Sequence, residues 1–183
     1  RPGLPRIREP VDPEVLFDTA QVKEILFNAE PETPSGITQA YHAITGGYVL
    51  GELVERVTGE NLNDVLERVI RKPMGMTYFR YGLDRSIPVA ENAVTGMKLL
   101  PPLSGLIKHA VGGSLEQVVD VSNDPRFRDV IIPAGNLYAT AEEGSRFFQT
   151  PLNGGQWHGP QIFQPEPVKQ AIRRASPRPL CAR

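Results

Sequence analysis

Tyr41-His42-Ala43-Ile44-Thr45-Gly46-Gly47-Tyr48 is followed at once by Val49-Leu50-Gly51-Glu52-Leu53-Val54-Glu55-Arg56-Val57-Thr58-Gly59, and this stretch decides the fold. Apolar or small residues recur in it at helical spacing, namely Ile44, Tyr48, Leu50, Gly51, Val54 and Val57. Gly59 offers the left-handed conformation in which helices commonly end. The pattern predicts a helix from Ile44 to about Thr58, with Tyr41 on the loop or first helical turn that precedes it.

A second helix is predicted directly after this one. Asn61 is a suitable N-cap, and Asp64 lies in the first turn, where the helix dipole favours a negative charge. Its buried face consists of Leu62, Val65, Leu66, Val69 and Ile70. The helix is expected to stop at Lys72-Pro73, so the two helices form a hairpin.

The remainder of the first half contains weaker signals. Residues 1–13 hold four prolines and predict an extended lead-in. A helix is expected from Pro13 to about Ala29, with Asp12 as its cap. Thr77–Tyr81 is rich in strand formers between two glycines and predicts a short strand.

The second half is also expected to be mainly helical. Short helices are predicted over Leu103–His109 and Ser114–Val119. Thr140 and Glu143 have the spacing of a capping box at the start of a further helix. A last helix begins near Pro165, and residues 173–183 have the composition of a disordered tail.

The amino-acid composition limits the classes of binding partner that the chain can have. The chain has 183 residues, with 20 Lys and Arg against 21 Asp and Glu and no strong clustering of either sign, which argues against a nucleic-acid partner. No apolar run approaches the roughly 20 residues of a membrane span. Cys181 stands alone, and His42, His109 and His158 are scattered without acidic partners, so no metal site is predicted.

An ordered set of short motifs carries more information than any one of them. It runs through Pro34-Ser35-Gly36, Tyr41, Leu50-Gly51, Glu55, Thr58-Gly59 and Pro73-Met74-Gly75-Met76, with Gly3-Leu4-Pro5 before it and Ile132–Ala141, Arg146-Phe147-Phe148 and Leu152–Gly155 after it. The set resembles the second catalytic motif and flanking segments of the serine β-lactamase-related hydrolases. This family also includes esterases and penicillin-binding proteins, and Tyr-His-Ala is most similar to its esterase branch.

The resemblance implies a mainly α structure, the helical subdomain of the β-lactamase/transpeptidase-like α/β fold, with at most a few short strands. Residues 1–172 would be the central part of that domain. It also implies a function: hydrolysis of a small-molecule ester or amide through an acyl-serine intermediate, without a cofactor. Tyr41 would be the catalytic tyrosine that takes the serine proton and returns it to the leaving group.

The chain departs from the family pattern at three points. It contains no Ser-x-x-Lys nucleophile motif and no Lys-Thr-Gly third motif, so the nucleophile is expected outside it and the chain alone is expected to be inactive. Ala43 stands where many relatives carry Asn, which disfavours β-lactams relative to esters. An alternative therefore stays open, a noncatalytic helical binding module in which the same residues only pack.

Overall fold

A computed structural model describes residues 13–30, 44–93, 101, 104–105 and 114–173. Helices dominate it, which confirms the mainly α expectation. The α-helices are α1 (Thr19–Asn28), α2 (Thr45–Thr58), α3 (Leu62–Leu66), α4 (Lys72–Met74), α5 (Leu115–Asn123), α6 (Ala141–Leu152) and α7 (Pro165–Ile172). Short 3₁₀ helices span Pro13–Phe17 and Pro125–Arg128. Strands β1 (Arg80–Tyr81) and β2 (Leu137–Tyr138) pair in a two-stranded sheet.

The first helix is shorter than predicted. A 3₁₀ turn comes first, and α1 begins at Thr19 with Asp18 as its N-cap. The Asp18 carboxylate accepts a hydrogen bond from the Gln21 amide at 3.0 Å, which satisfies one of the free donors of the first turn. The predicted cap, Asp12, lies outside the described residues.

The hairpin of α2 and α3 follows the sequence signals closely. Gly59 has a φ of 73° directly after α2, and the Asn61 side chain accepts from the Asp64 amide at 3.0 Å. The helical run does not stop at Lys72-Pro73. A π-helical turn, Glu67–Arg71, precedes α4. The wider spacing of its backbone hydrogen bonds accommodates Pro73, which has no backbone N–H to donate. The run ends at Gly75, whose φ is 61°.

Two further predictions need correction. The strand expected over Thr77–Tyr81 contains two residues, Arg80–Tyr81, because the amides of Thr77 and Tyr78 bond to a side chain, Glu143, instead of to a strand. Helix α5 extends to Asn123, beyond the predicted end at Val119. The helix expected over Leu103–His109 falls mostly outside the described residues.

The chain divides into two compact units. The first contains the described residues within Arg1–Glu52 and Tyr81–Asn136, and its core consists of Val22, Leu26, Tyr48 and Ile132. The second contains those within Leu53–Arg80 and Leu137–Arg178, with Met74, Met76 and Phe79 at its core. Within the described ranges, no helix is both long and apolar enough to span a membrane.

The predictions for the chain ends remain predictions. Residues 1–12 of the lead-in expected over 1–13, and nearly all of the tail over 173–183, lie outside the described residues, while Pro13 begins a 3₁₀ helix. The assignment of 1–172 to a single domain part is therefore an expectation that the structure does not address.

Candidate site at the start of helix α2

Tyr41, the predicted catalytic residue, lies outside the described residues together with His42 and Ala43. The described chain resumes at Ile44, a turn residue three positions after Tyr41, and α2 begins at Thr45. The part of this region that the structure describes consists of the first turns of α2 and of the loop against which those turns pack.

Gly47 packs closely against that loop, which spans Ile132–Asn136. A Cβ atom at position 47 would lie 2.6 Å from the Cβ of Ala134 and 2.7 Å from its backbone nitrogen. Real Cβ atoms do not approach so closely, and a backbone atom cannot swing away as a flexible side chain can. A glycine at position 47 is therefore a packing requirement of this first turn.

The loop is held from inside by Asn136, whose side chain is 3% exposed. Its carbonyl oxygen accepts from the Ile132 amide at 2.8 Å, and its amide nitrogen donates to the carbonyls of Phe127 at 2.7 Å and Val130 at 2.8 Å. The orientation of the amide follows from these partners, since the reverse orientation would oppose donor to donor. The side chain thus closes the loop on three backbone groups.

A tyrosine adds a further hydrogen bond to the loop. The hydroxyl of Tyr81 donates to the Pro133 carbonyl at 2.8 Å. Inside the loop, the amides of Gly135 and Asn136 both donate to the Ile132 carbonyl, at 2.8 and 3.1 Å. Hydrogen bonds thus hold both ends and the middle of the loop, and they fix the position of Ala134 against α2.

Tyr48 lies in the core next to this contact. Its side chain is 2% exposed, and its hydroxyl has no hydrogen-bond partner among the described residues. Burial raises the pKa of Tyr48 to about 12, so the phenol stays protonated at neutral pH. Tyr48 therefore supports α2 by packing, and its phenol has the wrong protonation state for a general base.

A separate open cleft of about 410 Å³ lies in the second unit. Helix α6 contributes Ser145 and Arg146 to it, and the following loop contributes Trp157 and His158. The guanidinium of Arg146 is bonded to Glu142 and to the Gly75 carbonyl, and the His158 ring packs edge-on against Trp157 with centroids 4.4 Å apart. Ser145 is followed three residues later by Phe148, so it does not complete a Ser-x-x-Lys motif.

Sequence reasoning missed the two residues that define the contact with α2. Gly46-Gly47 is a pair of glycines at the start of a predicted helix, and such a pair is itself a signal of close packing. Asn136 directly follows the turn-forming residues Pro133-Ala134-Gly135 and precedes Leu137. An asparagine that becomes buried at such a turn needs hydrogen-bond partners for its side-chain amide.

Known proteins resemble this chain over nearly its whole length. The family model described as Beta-lactamase matches residues 1–179. The esterase/beta-lactamase LipL of Mycobacterium tuberculosis is 26% identical over an alignment of 171 residues, and the match covers 86% of this chain and 40% of that protein. A penicillin-binding protein homolog from Caulobacter crescentus superposes with a TM-score of 0.65 at 24% identity, over 89% of this chain and 44% of that one. The chain thus spans less than half the length of these relatives.

Proposed function

Because the chain belongs to the serine β-lactamase-related hydrolase family, we propose that it is the central part of an enzyme that hydrolyses carboxylic esters through an acyl-serine intermediate. The proposal rests on one observation above all, the position of Tyr41 within a family match that covers residues 1–179. Helix α2 begins at Thr45, four positions after Tyr41 in the sequence, and its first turn packs closely through Gly47. The name of the mycobacterial relative, an esterase/beta-lactamase, is consistent with this class of reaction.

The chemical role of Tyr41 is proton transfer. A serine hydroxyl attacks an ester carbonyl only if its proton is removed, and the same proton must later reach the leaving alkoxide. A free phenol has a pKa near ~10, so a neighbouring cation must pull the tyrosine toward its phenolate form. We assign that cation to the lysine of a Ser-x-x-Lys motif, which this chain lacks and which would be supplied by a different part of the protein.

Ala43 favours an ester as substrate. A methyl side chain has neither donor nor acceptor, so it cannot hydrogen-bond the acylamide group that a β-lactam carries. An ester has no such amide to satisfy. The preference is therefore for carboxylic esters over β-lactams.

The test uses the longer protein that carries both the nucleophile and this chain. Tyr41→Phe keeps the ring and deletes the oxygen, so turnover of a short-chain nitrophenyl ester should fall by roughly 10²- to 10⁴-fold without a change in melting temperature. His42→Ala is the matched control at the neighbouring position, and it should change turnover only a few-fold. Near-normal turnover by Tyr41→Phe would rule out the shuttle role.

The same assay separates the enzyme from the noncatalytic alternative. The chain by itself should hydrolyse no ester above background and should not react with an active-site phosphonate, because removing the nucleophile removes most of the covalent rate advantage. The longer protein should react with the phosphonate at one serine. A longer protein that neither reacts nor hydrolyses esters would favour the binding module, whereas labelling of Ser145 or another serine in this chain would show a nucleophile within it.

A further inference from the structure

The open cleft of about 410 Å³ in the second unit has no role in the proposed esterase chemistry. All of its lining residues belong to that one unit. One wall is a single face of α6, whose residues follow one another at spacings of three and four: Glu142, Ser145, Arg146 and Gln149. The other wall is aromatic and consists of Trp157 and His158.

The turn that carries the aromatic wall is firmly held. The side-chain amide of Gln161 donates to two backbone carbonyls of the same segment, and the backbone amide of Trp157 donates to the Pro160 carbonyl at 3.0 Å. Among the described residues other than glycine, only His158 has a positive φ, of 46°. A side chain keeps this costly conformation only where its neighbours hold it. The shape of the wall is therefore set before any ligand binds.

Arg146 already holds one carboxylate at the cleft. Its guanidinium pairs with Glu142, one turn earlier in α6, and donates to the Gly75 carbonyl at 3.3 Å. These bonds use two of the five N–H donors that a guanidinium carries, so donors remain for a second acceptor. The Glu142 side chain is 73% exposed, and an exposed ion pair contributes little free energy. A carboxylate from solution can therefore compete with Glu142.

We propose that this cleft binds a small carboxylate with a planar apolar part, the carboxylate at Arg146 and the planar part against Trp157. The forked donors of a guanidinium match the two oxygens of a carboxylate. Ser145 and Gln149 add neutral donors on the same face of α6. An aromatic ring packs favourably against another ring in an offset or edge-on arrangement. The proposal does not depend on the esterase reaction.

Benzoate is the probe, benzamide is its uncharged counterpart, and acetate carries the same charged group without the ring. The longer protein is labelled with fluorotryptophan, and the signal of Trp157, the one tryptophan of this chain, is assigned by its loss in Trp157→Phe. Benzoate should shift this signal with a millimolar Kd, since the charge pair stays partly in water, and both controls should bind about tenfold more weakly. A signal that benzoate leaves unmoved, or that either control shifts at equal concentration, would overturn the proposal.

Two substitutions should change the affinity in opposite directions. Arg146→Gln should raise the Kd for benzoate about tenfold, and Arg146→Lys nearly as much, because lysine keeps the charge but loses the fork. Glu142→Gln should lower the Kd about threefold, because it removes the competing and repelling carboxylate. Arg68→Gln is the matched control and should leave the Kd unchanged, since Arg68 pairs with Glu60 on an exposed surface of the same unit.

Glu142→Gln keeps the test decisive if Arg146→Gln disturbs the fold through the lost bond to Gly75. Structural damage weakens binding, whereas removal of a competing carboxylate strengthens it. Unchanged or weaker binding of benzoate by Glu142→Gln would overturn the proposal. Equal effects of Arg146→Gln and Arg68→Gln would do the same, because they would show that Arg146 does not contact the ligand.

Discussion

Gly47 shows how strongly a single position depends on its packing partner. In an isolated helix, replacing glycine with alanine stabilises by about 1 kcal/mol because alanine loses less backbone entropy. At position 47 the new methyl group would meet the side chain and backbone of Ala134. Steric crowding opposes the intrinsic preference here, and overpacking of this kind costs typically about 1–3 kcal/mol.

We therefore predict that Gly47→Ala lowers the free energy of unfolding, measured by urea denaturation. Gly144→Ala is the matched control, because Gly144 lies inside α6 and an added Cβ there meets nothing within 4 Å. That control should leave stability unchanged or raise it by up to about 1 kcal/mol. Ala134→Gly should rescue Gly47→Ala only in part, since the backbone nitrogen of residue 134 remains 2.7 Å from the new atom. Equal effects of the two alanine substitutions would contradict the contact.

Helix α6 illustrates how one element can organise a neighbouring loop. Thr140 and Glu143 form the expected capping box: the Thr140 side chain accepts from the Glu143 amide at 3.1 Å, and the Glu143 carboxylate accepts from the Thr140 amide at 3.0 Å. The other carboxylate oxygen accepts from the amides of Thr77 and Tyr78, at 2.5 and 2.9 Å. The cap thus also fixes the segment between α4 and β1.

The pKa of Glu143 follows from opposing causes. Burial, the largest influence, raises its pKa, but the hydrogen bonds from Tyr78, Thr140 and Thr77 together lower it below the usual value of 4.5. A carboxyl group whose pKa is lower in the folded state contributes stability above its unfolded pKa. That contribution is lost as the pH falls through the folded pKa.

We predict that Glu143→Gln destabilises the protein by about 1–3 kcal/mol at pH 7, because one buried acceptor is lost. The difference from the unsubstituted protein should narrow as the pH falls below about 4.5, which pH-dependent urea denaturation can measure. Glu142→Gln is the control, since Glu142 pairs with Arg146 on the surface and such pairs contribute less than about 1 kcal/mol. A stability difference for Glu143→Gln that stayed constant down to pH 3 would argue against the carboxylate's role.

At the level of the whole molecule, α2 carries an apolar face that the described residues leave uncovered. Leu50, Leu53 and Val57 are 64%, 56% and 78% exposed and follow helical spacing, on the side of the helix opposite to buried Tyr48 and Gly51. Exposed apolar patches of this kind mark contact surfaces or aggregation sites. The relatives are more than twice as long as the matched region, so they contain further chain that could cover such a face.

We expect the chain by itself to bind hydrophobic dyes and to associate through this face. Replacing Leu50, Leu53 and Val57 with glutamine should reduce dye binding and light scattering while leaving helix content by circular dichroism unchanged. Ile172→Gln, at an exposed apolar residue in α7, is the control and should change dye binding much less. A monodisperse chain that binds no dye before any substitution would show that the face needs no cover.

Local sequence signals determined several of the helix ends, because caps and glycine stops act within one helical turn. The Asn61 cap and the Thr140–Glu143 capping box form hydrogen bonds between residues three positions apart, and Gly59 adopts a left-handed backbone at the end of α2. The structure confirms all three. The family could likewise be inferred from the order of short motifs along the chain. Tyr41 remains a prediction from those motifs.

Only the tertiary structure decided the features that join distant residues. Glu143 reaches Thr77 across 66 positions, which shortened the predicted strand, and the Gly47 contact depends on Ala134, which is even farther away in sequence. No periodicity or cap signal encodes such pairs. They arise because buried backbone donors must find acceptors and close-packed surfaces must match in shape, and both conditions are set by the folded chain as a whole.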